Sequence, residues 1–128
     1  MSIGIGGHAR IVAEDSDIVI YEYYAYDWNV PELANELNTY DGSLMIDKKA
    51  FVEPTIRHHI KRWPSGRKED IIKRIPNQVN IEALINNGMV TITKSRFGRP
   101  DAHIVLLHLI FMDYQKTGSI PVTTGYFQ

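Results

Sequence analysis

Asp101-Ala-His-Ile-Val-Leu-Leu-His-Leu-Ile-Phe-Met-Asp-Tyr-Gln-Lys116 is the stretch that decides the fold of this 128-residue chain. At about 100° per residue, its apolar side chains spread around nearly the whole circumference of a helix, which is typical of a helix covered on most sides. Asp101 is expected to cap this helix, and Gly118 to end it in the left-handed conformation. His108 and Gln115 complete its polar stripe, and we expect His108 to lie mostly buried. The helix would span roughly 24 Å, too short to cross a bilayer.

The N-terminal third predicts a sheet. His8 to Ala13 and Ile18 to Trp28 are rich in β-branched and aromatic residues and flank a short acidic turn, which favours an antiparallel pair of strands. Both faces of the second strand are apolar or amphipathic, so a cover is expected on each. Ser43 to Asp47, Met89 to Lys94 and Ile120 to Gln128 predict further strands.

The middle of the chain predicts helices. Pro54 to Trp63 places apolar residues at helical spacing, and Ser65 can cap a second helix from Arg67 to about Ile75. Short helices are also expected from Ile81 to Asn86 and from about Pro31 to Leu37. The segment 48–52 suits either a helical turn or a strand. Together these patterns predict one α+β domain over residues 1–128, with an N-terminal antiparallel sheet packed against a buried C-terminal helix.

Composition narrows the classes of protein. The chain is 44% hydrophobic and 23% charged, as in ordinary globular proteins. It has no cysteine, which excludes disulfides and thiolate zinc sites and fits a reducing compartment. The N-terminus lacks a basic region followed by an apolar stretch, so no signal peptide is expected. We therefore predict a cytoplasmic protein without a membrane partner.

Charge is divided unevenly along the chain. Residues 1–47 carry nine acids and one base, a net charge of -8. Residues 48–74 carry nine bases and three acids, a net charge of +6, and the remainder carries +1. Such asymmetry is a clue to partners. The two segments either neutralise each other in the fold or present separate surfaces.

Two basic stretches are candidate anion sites. Ser65, Gly66, Arg67 and Lys68 stand at a predicted helix start, where free N–H groups and two cations suit a phosphate or carboxylate. The loop from Arg96 to Arg99 places Phe97 between two guanidinium groups, which suits a nucleic-acid backbone or an acidic partner. If these stretches meet, they form one basic patch. The alternative is a capped helix and a loop with incidental arginines.

Aromatic residues along the second strand are a candidate protein interface, since such side chains contribute large contact areas at modest entropic cost. The residues of this predicted interface are Tyr21, Tyr23, Tyr24, Tyr26 and Trp28. The alternative is a strand packed on both sides, with tyrosine hydroxyls reaching water at its rim.

Catalytic and metal-binding patterns are weak. The five histidines have spacings that do not converge as metal ligands, so neither a metal nor a cofactor is expected. No stretch resembles a nucleophile signature. An enzyme would need a cleft in which a buried carboxylate or histidine meets polar neighbours.

The leading functional hypothesis is a non-catalytic protein-interaction module, self-associating through an aromatic edge or face. An immunity protein that masks a basic nuclease is one concrete form, because an acidic aromatic surface suits that partner. The alternative hypothesis is a nucleic-acid or anion-binding protein that uses the basic 57–74 segment and the 96–99 loop. Its binding residues would be Arg62, Arg67, Lys68, Arg96 and Arg99.

Overall fold

The computed structural model describes residues 3–128. Seven strands run in chain order as β1 (Ile5–Glu14), β2 (Ile18–Asp27), β3 (Gly42–Asp47), β4 (Thr55–Arg62), β5 (Lys68–Ile75), β6 (Val90–Thr93) and β7 (Thr123–Phe127). The described helices are α1 (Ile81–Asn86) and α2 (Ala102–Thr117), with 3-10 turns at Pro31–Leu33 and Lys48–Ala50. Five strands form an antiparallel sheet in the order β6-β3-β2-β1-β7, and β4 pairs with β5 in a separate two-stranded ribbon. The predicted α+β fold class is confirmed.

The predicted antiparallel pair is formed by β1 and β2. The Asp15 carboxylate stabilises their turn by accepting hydrogen bonds from the backbone N–H groups of Asp17 and Ile18, at 2.7 Å and 2.8 Å. These two bonds lower the pKa of Asp15. The register shifts between Ile11 and Ala13, which leaves a bulge at the end of β1.

The core lies between one face of the main sheet and α2. Every second residue of β2 is buried, as alternation in a strand requires. The buried side chains of β2 meet Leu106, Leu107, Ile110 and Phe111 of α2. The stretch that decides the fold is thus the buried helix that the sequence predicts. Gly118 ends it at φ +78°, as predicted, but the Asp101 side chain makes no capping hydrogen bond to the described first turn.

The expectation of a cover on both faces of β2 is wrong. Both α-helices pack on the buried face, whereas Tyr24 and Tyr26 on the other face are only half-buried. Trp28, which follows β2, is 63% exposed. We call the side of the sheet that carries these three residues its outer face.

The two helices predicted between residues 54 and 75 are also wrong, because these residues form β4 and β5. Ile56 and Ile60 are four residues apart, a spacing that places two side chains on one face of a helix and also on one face of a strand. The short helix at Ile81–Asn86 is confirmed, with the Asn80 side chain accepting from the backbone of Ala83 at 3.1 Å. The helix expected from Pro31 is a three-residue 3-10 turn.

Candidate binding surfaces

A basic ribbon projects from the fold. We call residues 55–75 the arm, and the other described residues the body. All residues of β4 and β5 are exposed except the half-buried Ile71. The strands are joined by a tight turn, in which the backbone N–H of Gly66 donates to the carbonyl of Trp63 at 2.9 Å. Gly66 has φ +86°, a conformation that glycine adopts without a steric penalty.

An apolar stripe runs along one face of the arm. The register pairs Ile56 with Arg74, His58 with Ile72 and Ile60 with Asp70. Ile72 is therefore the diagonal neighbour of both Ile56 and Ile60, and the three side chains form a continuous zigzag. Ile56, Ile60 and Ile72 are 47%, 62% and 60% exposed. We call these three residues the isoleucine stripe.

Charge separates the arm from the body. The arm carries seven bases and two acids, a net charge of +5, and the rest of the chain carries seven bases and thirteen acids, a net charge of -6. Within the arm, the Glu69 carboxylate accepts from the indole N–H of Trp63 at 3.2 Å, and Lys61 Nζ lies 4.1 Å from the centre of the Trp63 ring. All seven lysine and arginine residues of the arm are exposed to solvent.

A buried glutamine fastens the segment that follows the arm. Gln115 of α2 is fully buried, and its Oε1 accepts from the backbone N–H of Asn77 at 2.6 Å. Its Nε2 donates to the carbonyl of Asn77 at 2.7 Å. Asn77 in turn donates to the carbonyl of Glu53 at 2.8 Å, and Arg74 donates to the carbonyl of Lys116 at 3.3 Å. Both ends of the arm are therefore held near the C-terminal end of α2.

The anion site predicted at a helix start is not formed as expected. Ser65 and Gly66 lie in the turn of the arm, Arg67 directly precedes β5, and Lys68 is the first residue of β5. The helix dipole invoked for these residues is therefore lacking in the described structure. Their charges still stand at the tip of the ribbon, where Arg67 and Lys68 are exposed.

Arg96 and Arg99 lie elsewhere on the molecule. They precede α2, whereas the arm is fastened near the other end of this helix, roughly 24 Å away along its axis. The Asp41 carboxylate lies 3.4 Å from the guanidinium of Arg96 and accepts from the Ser95 hydroxyl at 2.5 Å. Burial would raise the pKa of Asp41, but these hydrogen bonds outweigh it and lower the pKa. The two predicted basic stretches therefore belong to separate elements, the loop before α2 and the tip of the arm.

The aromatic row of β2 is divided between two faces. Tyr21 and Tyr23 are buried in the core, where burial raises the pKa of both. The Tyr21 hydroxyl donates to the carbonyl of Pro121, and the Tyr23 hydroxyl accepts from the backbone N–H of Ser95 at 2.9 Å. These two residues are not part of the molecular surface. A surface interface on this strand narrows to Tyr24, Tyr26 and Trp28.

Residues outside β2 extend the exposed row. The rings of Tyr26 and Trp28 stack with centres 5.0 Å apart, and Tyr40 packs edge-on against Tyr24 at 4.8 Å. Gly6 pairs with both Tyr26 and Phe127, which places the 78% exposed Phe127 on the same face. We call Tyr24, Tyr26, Trp28, Tyr40 and Phe127 the aromatic face. Sequence reasoning missed Tyr40 and Phe127 because only strand pairing and a loop bring them to β2.

Cations already contact rings in this region. The guanidinium of Arg10 lies 3.8 Å from the centre of the Tyr40 ring and 2.5 Å from the Glu22 carboxylate. His8 Nδ1 and the Tyr40 hydroxyl are 2.9 Å apart. The aromatic face therefore combines ring surface with hydroxyl groups, which suits a partner that offers apolar and cationic side chains.

An open groove of about 660 Å³ lies between β6, α1 and the start of α2. His103, not His108, is the buried histidine of α2, and His108 is exposed, contrary to expectation. Burial lowers the pKa of His103, with Lys94 adding to this effect and Asp101 opposing it. The groove therefore holds an imidazole whose neutral form is favoured by burial.

No cluster of described residues has three side chains placed to hold a metal ion, and no described helix is long and apolar enough to span a membrane. No protein-family model, curated protein or solved structure matches this chain.

Proposed function

We propose that this chain is a non-catalytic protein-interaction module whose main binding element is the arm. The observation that carries this proposal is the isoleucine stripe, which lies bare on a projecting ribbon of net charge +5. A two-stranded hairpin is marginally stable in water unless other structure covers it. A partner that covers the stripe would stabilise the arm and bury three large side chains.

The chemistry of the arm defines the partner. Burial of the isoleucines requires an apolar surface, and the net charge of +5 favours acidic groups around that surface. The aromatic face is the second binding surface in this proposal, and it offers the rings that suit a basic partner. An immunity protein that masks a basic nuclease would use the aromatic face in this way, and a cytoplasmic location fits that role.

The experiment is photo-crosslinking in cells from single positions of the full chain. A photoreactive residue at Ile72 should give adducts with a discrete protein, because this side chain lies in the isoleucine stripe. Val122, a 68% exposed apolar residue of the body, is the matched control position. Equal adduct yields from both positions, or no protein adduct from Ile72, would count against the arm as a protein-binding element.

Nucleic-acid binding is the second candidate function, because a specific feature of the arm favours it. A two-stranded ribbon has the width of the DNA major groove, and this one carries Arg62, Arg67 and Lys68 around its tip. The affinity of such a contact would come mainly from phosphate neutralisation and would fall steeply with salt.

Fluorescence anisotropy separates the two functions. If the arm binds nucleic acid, its affinity for a labelled DNA or RNA duplex should fall by at least about tenfold between 50 and 200 mM salt. The double variant Lys61→Gln with Lys73→Gln should show a weaker dependence of affinity on salt. Ile60→Thr with Ile72→Thr should leave that affinity nearly unchanged. A duplex that does not bind at the lower salt concentration would eliminate this candidate.

A further inference from the structure

The arm and the body of this chain have opposite charges and matching surface chemistry. The arm offers an exposed apolar stripe on a ribbon of net charge +5, and the body offers exposed rings in a part of the chain with net charge -6. We propose that the partner of the arm is the aromatic face of a second copy of this chain. This inference rests on the proposed function and names its partner.

The aromatic face provides suitable groups for such an arm. Tyr26, Trp28 and Phe127 provide apolar ring surface for the isoleucine stripe, and rings also attract lysine and arginine side chains. The same chain contains two contacts of this kind, Lys61 over Trp63 and Arg10 over Tyr40. Glu32 and Glu36 are exposed in the segment that follows Trp28 and add negative charge to this end of the body.

Other pairings of two copies are less favourable. Two arms laid side by side would bring net charges of +5 together, and two bodies would bring net charges of -6 together. Contact between the arm of one copy and the body of the other is the pairing that charge favours. A two-fold axis would make this contact twice and would cover both arms.

The expected size of the contact suits a reversible dimer. A strand of eight residues is about 27 Å long, and a two-stranded ribbon with its side chains is about 10 Å wide. Two such contacts, counted on both surfaces, bury about 1,100 Å², close to the lower limit for a specific interface. We therefore expect a dimer that dissociates in the micromolar range.

Sedimentation equilibrium of the full chain tests this pairing at concentrations from about 1 to about 100 µM. The native chain should pass from monomer to dimer over this range. Ile60→Thr with Ile72→Thr alters the arm, and Trp28→Thr with Phe127→Thr alters the aromatic face. Each double variant should weaken dimerisation by at least about tenfold, or about 1.4 kcal/mol. The control Val122→Thr, at another exposed apolar residue of the body, should dimerise like the native chain.

Mixing the two double variants tests the pairing itself. The arm variant retains an intact aromatic face, and the face variant retains an intact arm, so one native contact can form between them. A labelled arm variant should therefore bind the face variant more tightly than it binds itself. Dimers that are unaffected by either double variant, or that mixing fails to restore, would overturn the proposed pairing.

The failure of this inference can be distinguished from the failure of the proposed function. A native chain that stays monomeric at all concentrations would overturn the second copy as partner. If Ile72 then still crosslinks to a different protein in cells, the arm remains a binding element with another partner. If Ile72 gives no protein adduct, both proposals fail.

Discussion

Gln115→Leu should lower the free energy of unfolding by about 2–4 kcal/mol, because this buried side chain joins the segment that follows the arm to α2. Leucine has a similar volume, so the main effect is the loss of two hydrogen bonds, at 2.6 Å and 2.7 Å, to the backbone of Asn77. A buried N–H or C=O group left unpaired costs about 1–3 kcal/mol. Asn77 is half-buried, so water offsets part of this loss.

Two assays separate the body from the arm. The first assay is urea unfolding followed by tryptophan fluorescence in chains with a single tryptophan. Replacing Trp63 by phenylalanine leaves Trp28, which reports unfolding of the body. Replacing Trp28 leaves Trp63, which reports unfolding of the arm. Trypsin cleavage followed by mass spectrometry assigns each cut to the arm or to the body, and cleavage at the seven lysines and arginines of the arm should accelerate once the fastening is lost.

Lys116→Leu is the matched control, because Lys116 is the exposed neighbour of Gln115 on the same helix. It should change the free energy of unfolding by less than about 0.5 kcal/mol. If Gln115→Leu is as mild as this control and trypsin cuts the arm at the native rate, the fastening role of Gln115 is refuted.

Two further substitutions test the body. Burial lowers the pKa of His103, so the unfolded chain takes up a proton that the folded chain disfavours, and stability should fall as pH drops below about 6.5 toward the folded pKa. His103→Gln should remove this dependence of stability on pH, whereas His108→Gln, at an exposed position, should retain it. Equal urea stabilities of the two variants at both pH 5 and pH 7 would contradict this expectation. Gly98→Ala should cost about 2–4 kcal/mol in urea unfolding, because Gly98 has φ +75° and a Cβ there would lie 2.4 Å from that of Ala25. Gly88→Ala, at φ +82° with no neighbour within 4 Å, should cost only about 1 kcal/mol, and equal losses would exclude a packing effect at Gly98.

The body of the fold could be predicted from sequence because its patterns have one interpretation. Alternation over Ile18–Asp27 fits a strand, and the run around Leu106 and Leu107 is too long and too apolar for any element except a buried helix. Within that helix, the polar residues were harder to place. Gln115 is buried because a backbone 38 residues away satisfies its amide. His108, two turns earlier on the same stripe, is exposed and borders a groove that residues 76–79 also line.

The arm could not be predicted because its periodicity is ambiguous. Ile56 and Ile60 suit a helix or a strand, and the seven lysine and arginine residues of the arm favour a helix by propensity. A signal for the ribbon was nevertheless present. Pro64, Ser65 and Gly66 separate two segments rich in β-branched residues, and a short loop containing glycine between such segments is typical of a hairpin. Because the arm was predicted as two helices, the anion site at residues 65–68 was also expected at a helix start, whereas these residues lie at the tip of the ribbon.

The candidate surfaces depend on pairing that a sequence does not display. The five-residue row from Tyr21 to Trp28 looks uniform, yet strand alternation buries Tyr21 and Tyr23 and leaves Tyr24 and Tyr26 on the outer face. Which face α2 would cover depends on tertiary packing. Charge asymmetry was visible in the sequence, but only the fold separates the cations of the arm from the acids of the body.

Amide hydrogen exchange tests most directly whether the arm is bare. The exchange is followed by mass spectrometry on the full chain, at a dilution where the chain is monomeric. We predict that peptides from β4 and β5 exchange roughly a hundredfold or more faster than peptides from β2, because a lone ribbon opens readily whereas β2 lies in the core. Peptides of the arm that are as protected as β2 in the monomer would mean that the body covers the arm, and would contradict the account.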